Sequence, residues 1–518
     1  MGVAVAAIIG AVLPSQNKSP YSSSGEYVSA DVAGLPDALA TQAVELKDGD
    51  TYNLTAHYVK KNINGKAYRM LAYNGSIPGP LITVAQGSEV TVHFKNDTDV
   101  KTLLHSHGVR MDSAFDGSQT AQEAMNPGET FAYKLTFPDA GTYWYHPHVR
   151  EYYEQELGLY GNYLVVPSDS DYWSPVNREV LLFLDDILIE GGKITLSKQK
   201  ADHALMGRYG NVMLVNGETN YALSAKKGEV VRFYVTNAAN TRPFNFVIGG
   251  LKLKRVGADG GAYERDEWAD SVTLGSSERA VVEVLFAKSG AFAMQNKTPN
   301  KIYTLGTIHV SSDPVEVSYA SQFSQLKTHA ETVQSIDPLR SYFDTVPDKQ
   351  VKLTLDMGGG MMNMQGMDHD GRMMPNGQMA GDSMMGGILN GIEWDDTNRM
   401  MNQMSNTDSI KWKIVDQDTG KENKDIDWAF KKDAPVKIRI FNDPNSMQHP
   451  IHFHGQQFLV LAKNGARENN LVWKDTVLIP SGEMVDILLH PTNSGTWMAH
   501  CHIAEHLESE MMLIFKVE

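Results

Sequence analysis

Three stretches of the chain place apolar residues at every second position, the period of a strand with one buried face. Val90, Val92 and Phe94 alternate with polar residues up to Asn96. Val231, Phe233 and Val235 lead to Asn237 in the same way, and Val436, Ile438 and Ile440 lead to Asn442. An Asn-Gly turn precedes each stretch, at Asn74-Gly75, Asn216-Gly217 and Asn390-Gly391. A second strand follows each, opening at Gly141, Gly290 and Gly495. One unit written three times settles the architecture. Many short strands with Gly, Pro and Asn turns predict an all-β chain of three Greek-key β-sandwiches. The predicted units are 31–168, 169–335 and 336–518, after an N-terminal segment 1–30. The boundaries fall near Pro167 and in the polar stretch 311–348, where His329 is expected to be solvated.

The copies differ in chemistry. The first carries Leu104-His105-Ser106-His107-Gly108 and ends its second strand in His146-Pro147-His148. The third carries His449-Pro450-Ile451-His452-Phe453-His454-Gly455 and ends in His500-Cys501-His502. The middle copy has Phe244-Asn245-Phe246-Val247 and Gln295-Asn296-Lys297 at these places. Histidines two apart on a strand share a face. The outer copies are therefore expected to build a shared metal site. Imidazole alone suits copper, zinc, iron or nickel. Cys501 narrows the choice. It is the only cysteine of 518 residues, so it forms no internal disulfide. One thiolate, two imidazoles and a weak thioether are the ligands of a blue, type 1 copper. Cys501, His506 and Met511 supply three of the four. On a strand Cys501 would face one way and His500 and His502 the other, toward a different metal site.

Together these residues resemble the three-domain multicopper oxidases, a family that includes laccases and bacterial cuprous oxidases. The resemblance spans 58–518. It implies three cupredoxin domains and four copper ions: one type 1, one type 2 and a binuclear type 3 pair. It implies His449, Cys501, His506 and, weakly, Met511 at type 1 copper. It implies His105 and His452 at type 2, and His107, His146, His148, His454, His500 and His502 at type 3. Asp116 matches the acidic residue that feeds protons to bound dioxygen, the alternative being a turn-forming Asp-Gly. Ser106 stands where the family usually has Trp, so looser packing over the cluster is expected. Leu507 stands where the family has a second carboxylate, with Glu505 and Glu508 on either side. The implied activity couples four one-electron oxidations of a small reducing substrate to reduction of dioxygen to water. Cys501, His500 and His502 carry the electrons.

Composition refines the picture. The net charge of −16 excludes nucleic acid as a partner, since its binding needs a basic surface. The first thirteen residues are apolar enough for an export signal and too short to span a bilayer. An extracytoplasmic protein with a loose membrane tether is expected. The 25 methionines concentrate in a Gly-rich insert, about 356–404, which lacks the aliphatic residues of a core. Thioethers select Cu(I). Met361, Met362, Met364 and Met367, with Met447 and Asp443 outside the insert, are the candidate substrate Cu(I) ligands. Copper tolerance by Cu(I) oxidation is the expected role. Oxidation of phenols, Fe(II) or Mn(II), or copper storage without turnover, are the alternatives.

Overall fold

The computed structural model describes residues 28–198, 204, 207–357, 388–396 and 410–518. Each repeat is a pair of sheets enclosing its own apolar core. The repeated strands are Glu89–Asp97, Val230–Asn237 and Val436–Asn442. In the first, Val90, Val92 and Phe94 point into the core while Thr91, His93 and Lys95 face outward. The turn asparagines Asn74, Asn216 and Asn390 all have φ near +50° and each is followed by a positive-φ glycine. That pair of residues is what a tight hairpin turn demands.

The asparagine closing each strand has one job in all three copies. Asn96 Nδ2 donates to the carbonyls of Val100 and Met125. Asn237 does so to Arg242 and Leu274, and Asn442 to Met447 and Ile479. Each clamps the loop that leads into the next strand. In the outer copies that loop delivers the histidines.

The ligand-bearing strands are neighbours within their sheets. Leu104–His107 pairs with Gly141–Pro147, placing His105 opposite His146. His449–Phe453 pairs with Gly495–Cys501, placing His452 opposite His500. These two strand pairs meet across the interface between the first and third units.

The polar stretch 311–348, where a boundary is expected, holds helices Ala320–Phe323 and Ala330–Ile336. One expectation about it needs correction. His329 is buried rather than solvated. Its Nε2 lies 2.8 Å from Asp266 Oδ1 and its Nδ1 3.1 Å from the Tyr172 carbonyl, and this pairing permits burial.

Candidate metal centre

Cys501 and its two neighbours part as strand alternation requires. Cys501 Sγ lies 3.4 Å from His449 Nδ1 and 3.5 Å from His506 Nδ1, and the two nitrogens are 3.3 Å apart. All three groups are buried and close enough to hold one metal ion. Met511 is buried beside them in the same core, and its carbonyl accepts the Cys501 N–H. His506 lies just after Ile503, on the short helix Ala504–Glu508, which turns it back over the cysteine.

His500 and His502 join the other six histidines. His105, His452 and His454 form one metal-competent group, His105, His107 and His146 a second, and His148, His454 and His500 a third. The His502 ring sits 5.0 Å from the rings of both His107 and His146. Two peptide units therefore join the cysteine group to the histidine cluster.

In four of the rings a hydrogen bond at the outer nitrogen fixes the tautomer. His105 Nδ1 donates to the Asp116 carbonyl (2.7 Å) and His146 Nδ1 to the Pro147 carbonyl (2.8 Å). His452 Nδ1 donates to the Asp475 carbonyl (2.8 Å), and His500 Nδ1 to the Cys501 carbonyl (2.9 Å). Each Nε2 then carries a lone pair pointing inward. His107 is reversed: its Nε2 meets Asp475 Oδ1 at 3.0 Å and its Nδ1 points inward. The inward nitrogens of His105, His107, His146 and His452 are buried without a hydrogen-bond partner. His454 donates through Nδ1 to Asp116 Oδ2 (2.9 Å), which leaves its Nε2 lone pair 3.0 Å from that of His500. Such lone pairs repel each other unless a cation sits among them. Burial pushes His449 and His500 down to about 3, so both imidazoles stay neutral donors. Burial pushes the Cys501 thiol up, and a bound metal would be needed to hold it as thiolate. The residues fit copper: a soft sulfur ligand in one group and imidazoles in the other.

Asp116 is buried and touches two cluster histidines, by its carbonyl and its carboxylate. Its neighbour Gly117 has φ +75°, and a Cβ there would lie 1.8 Å from the Leu104 carbonyl oxygen. Glycine at 117 is what lets Asp116 approach the His105 strand. Ser106 is also buried, but it alternates away from the cluster and meets Tyr163 Oη at 3.2 Å. Ser106 therefore does not face the cluster, on whose side Trp144 stacks on His146, ring centres 4.2 Å apart.

Glu505 is held away from the cluster, near Arg208 (3.6 Å) and Thr241 (3.4 Å). The carboxylate near His148 is instead Glu151, 3.5 Å from Nδ1 and buried. A cleft of about 470 Å³, lined in part by His148, Glu151, Leu507 and Glu508, opens beside it. At the cysteine group, Ser446 Oγ bonds the outer nitrogen of His449 (2.8 Å), and Trp412 stacks on His506 (3.9 Å). Trp412 and Asp475 carry no local sequence signal, since each reaches its histidine through the fold, whereas Glu151 and Ser446 each lie three residues from theirs. Met447 is fully buried in the core with Cys501, and Asp443 is paired with Lys352 at 2.5 Å. These two do not form an open site together. Met361, Met362, Met364 and Met367 lie outside the described residues, as does the N-terminal segment through residue 27.

Three family models described as multicopper oxidase match residues 55–170, 143–313 and 377–518. The chain belongs to the multicopper oxidases. It is 25% identical over 480 residues to multicopper oxidase mco of Staphylococcus aureus, covering 90% of this chain and 88% of that protein. It is 24% identical over 597 residues to copper resistance protein A of Escherichia coli, covering 91% and 93%. A laccase-like multicopper oxidase from Ochrobactrum sp. superposes with a TM-score of 0.70 at 22% identity, over 93% of this chain and 100% of that one. The fold is accordingly that of cupredoxin domains.

Proposed function

We propose that the protein oxidises Cu(I) and reduces dioxygen to water, with four copper ions at the two groups of ligands. The observation that carries this reading is the single buried cysteine, bonded through its main chain to two histidines of the other group. Type 1 copper is assigned to His449, Cys501, His506 and Met511, and type 2 to His105 and His452. The type 3 pair is assigned to His107, His146, His148, His454, His500 and His502. Copper supplies one-electron transfer at the cysteine site and four-electron reduction of dioxygen at the cluster. The balance is four Cu(I), one dioxygen and four protons giving four Cu(II) and two waters.

The chain's own residues do the rest. Burial of both groups excludes water and holds His449 and His500 as neutral imidazoles. Cys501, His500 and His502 give electrons a bonded path between the groups. Asp116 orients His105 and His454 and stands where protons must arrive. The cleft beside His148 supports entry of dioxygen there. Trp412 and Ser446 cover the imidazoles of the cysteine site, which favours a small donor or electron transfer through the protein wall. The methionine insert favours Cu(I) as that donor, in keeping with the name of the Escherichia coli relative. The apolar N-terminal segment favours work outside the cytoplasm.

Turnover on Cu(I), Fe(II) and a phenol, side by side, tests the substrate. Deleting 358–385 is expected to abolish Cu(I) oxidation while phenol oxidation stays or rises and the blue colour persists. Unchanged Cu(I) oxidation in that deletion would refute the insert's role. Phenol turnover exceeding Cu(I) turnover in the intact protein would favour the laccase-like reading. Copper binding without oxygen consumption would mean storage.

A further inference from the structure

The middle unit contributes no ligand, yet one of its side chains reaches the cluster. Arg279, on the strand Arg279–Leu285, is fully buried. Its guanidinium grips Asp475 with two bonds, Nη1 to Oδ1 at 2.7 Å and Nη2 to Oδ2 at 2.5 Å. Two further donors are used. Nε donates to the Thr142 carbonyl (3.0 Å) and Nη1 to the Ser277 carbonyl (3.1 Å). The backbone N–H of Arg279 is held by Asp259 Oδ1 at 2.7 Å. Asp475 in turn touches a ligand from each outer unit: His107 through Oδ1 and His452 through its carbonyl. Thr476 Oγ1 donates to the same Oδ1 at 2.8 Å. Gly108 leaves the room this needs, since a Cβ there would lie 2.2 Å from Asp475 Oδ2 and 2.9 Å from Arg279 Nη2. His107 is the reversed ring of the cluster, so its presentation depends on what holds Nε2.

We infer that Arg279 is a positioning residue of the middle unit. Its forked grip on Asp475 fixes His107 in the orientation that aims Nδ1 at the copper of the cluster. This rests on the metal assignment above. A planar fork locks a carboxylate in place where a point charge does not. Loss of an outer partner of a metal-bound histidine typically weakens metal binding ~10–100-fold.

The test uses the full chain loaded with copper and titrated with a competing chelator. Arg279→Lys keeps the charge and loses the fork. It is expected to weaken the copper bound at the cluster ~10–100-fold and to change the paramagnetic-resonance signal of its type 2 ion. The blue colour and its reduction by donor without oxygen should stay as in wild type. Asp475→Asn should weaken the cluster copper similarly. The double variant Arg279→Met/Asp475→Asn removes both charges, so it folds without an unpaired buried ion. It should remain deficient, because the oriented carboxylate is gone. Wild-type cluster copper and an unchanged signal in Arg279→Lys would overturn the inference, as would full recovery in the double variant. If the wild type itself binds no copper beyond the blue site, the metal assignment falls with it, and the two failures are told apart by that control.

Discussion

Replacing Cys501 by serine is expected to bleach the copper-loaded protein and to stop oxidation of every donor. The sulfur is the only thiolate available, and the two nitrogens aimed at it are 3.4 and 3.5 Å away. A hydroxyl in its place is a hard, neutral ligand that would not hold copper with the same strength or colour. It would also break the donor's path at its first atom, although the backbone to His500 and His502 is untouched. The loss of turnover should exceed by far the ~10–100-fold that removal of an outer hydrogen-bond partner costs. The histidine cluster, built from other side chains, should retain its copper. Visible absorption and copper content of the same sample check both halves. A colourless variant with wild-type turnover would dissociate the sulfur from electron entry.

Asp116→Asn is expected to act at the opposite end of the reaction. The carboxylate oxygen nearest His454 accepts from Nδ1 at 2.9 Å, and the backbone carbonyl accepts from His105. An amide oxygen can take the first of these bonds and the second is unchanged, so both rings should stay in place. What the amide cannot do is accept a proton at neutral pH. Four protons must reach the dioxygen site per turnover, and Leu507 offers none. Copper content, blue colour and anaerobic reduction by donor should therefore match the wild type. Reoxidation by dioxygen should slow on the order of 10²-fold, the low end of general acid–base contributions. Rapid mixing of reduced protein with dioxygen measures it. Equal rates would transfer the role to another carboxylate, with Glu151 beside His148 the first to examine.

The fold was legible because each repeat carries the same local instructions. The Asn-Gly turns at 74, 216 and 390 act locally, and the asparagines at 96, 237 and 442 each make one of their two bonds within the loop that follows. The proximity of the eight cluster histidines was legible for a related reason: strand alternation and the repeat together bring them to one interface. What orients them was not. His107 and Asp475 are 368 positions apart, and Arg279 comes from the unit that looked chemically silent. His329 was misjudged because its neighbours in sequence are polar, whereas its partner Asp266 lies in an earlier strand. Ser106 follows the same strand alternation: a residue between two inward histidines faces outward.

The central claim is that donor electrons entering at Cys501 leave as water at the histidine cluster. An oxygen electrode with a peroxide assay on the copper-loaded protein tests it directly. Four Cu(I) oxidised per dioxygen consumed, without hydrogen peroxide, is the predicted result. Two Cu(I) per dioxygen with matching peroxide, or oxidation without oxygen uptake, would contradict it.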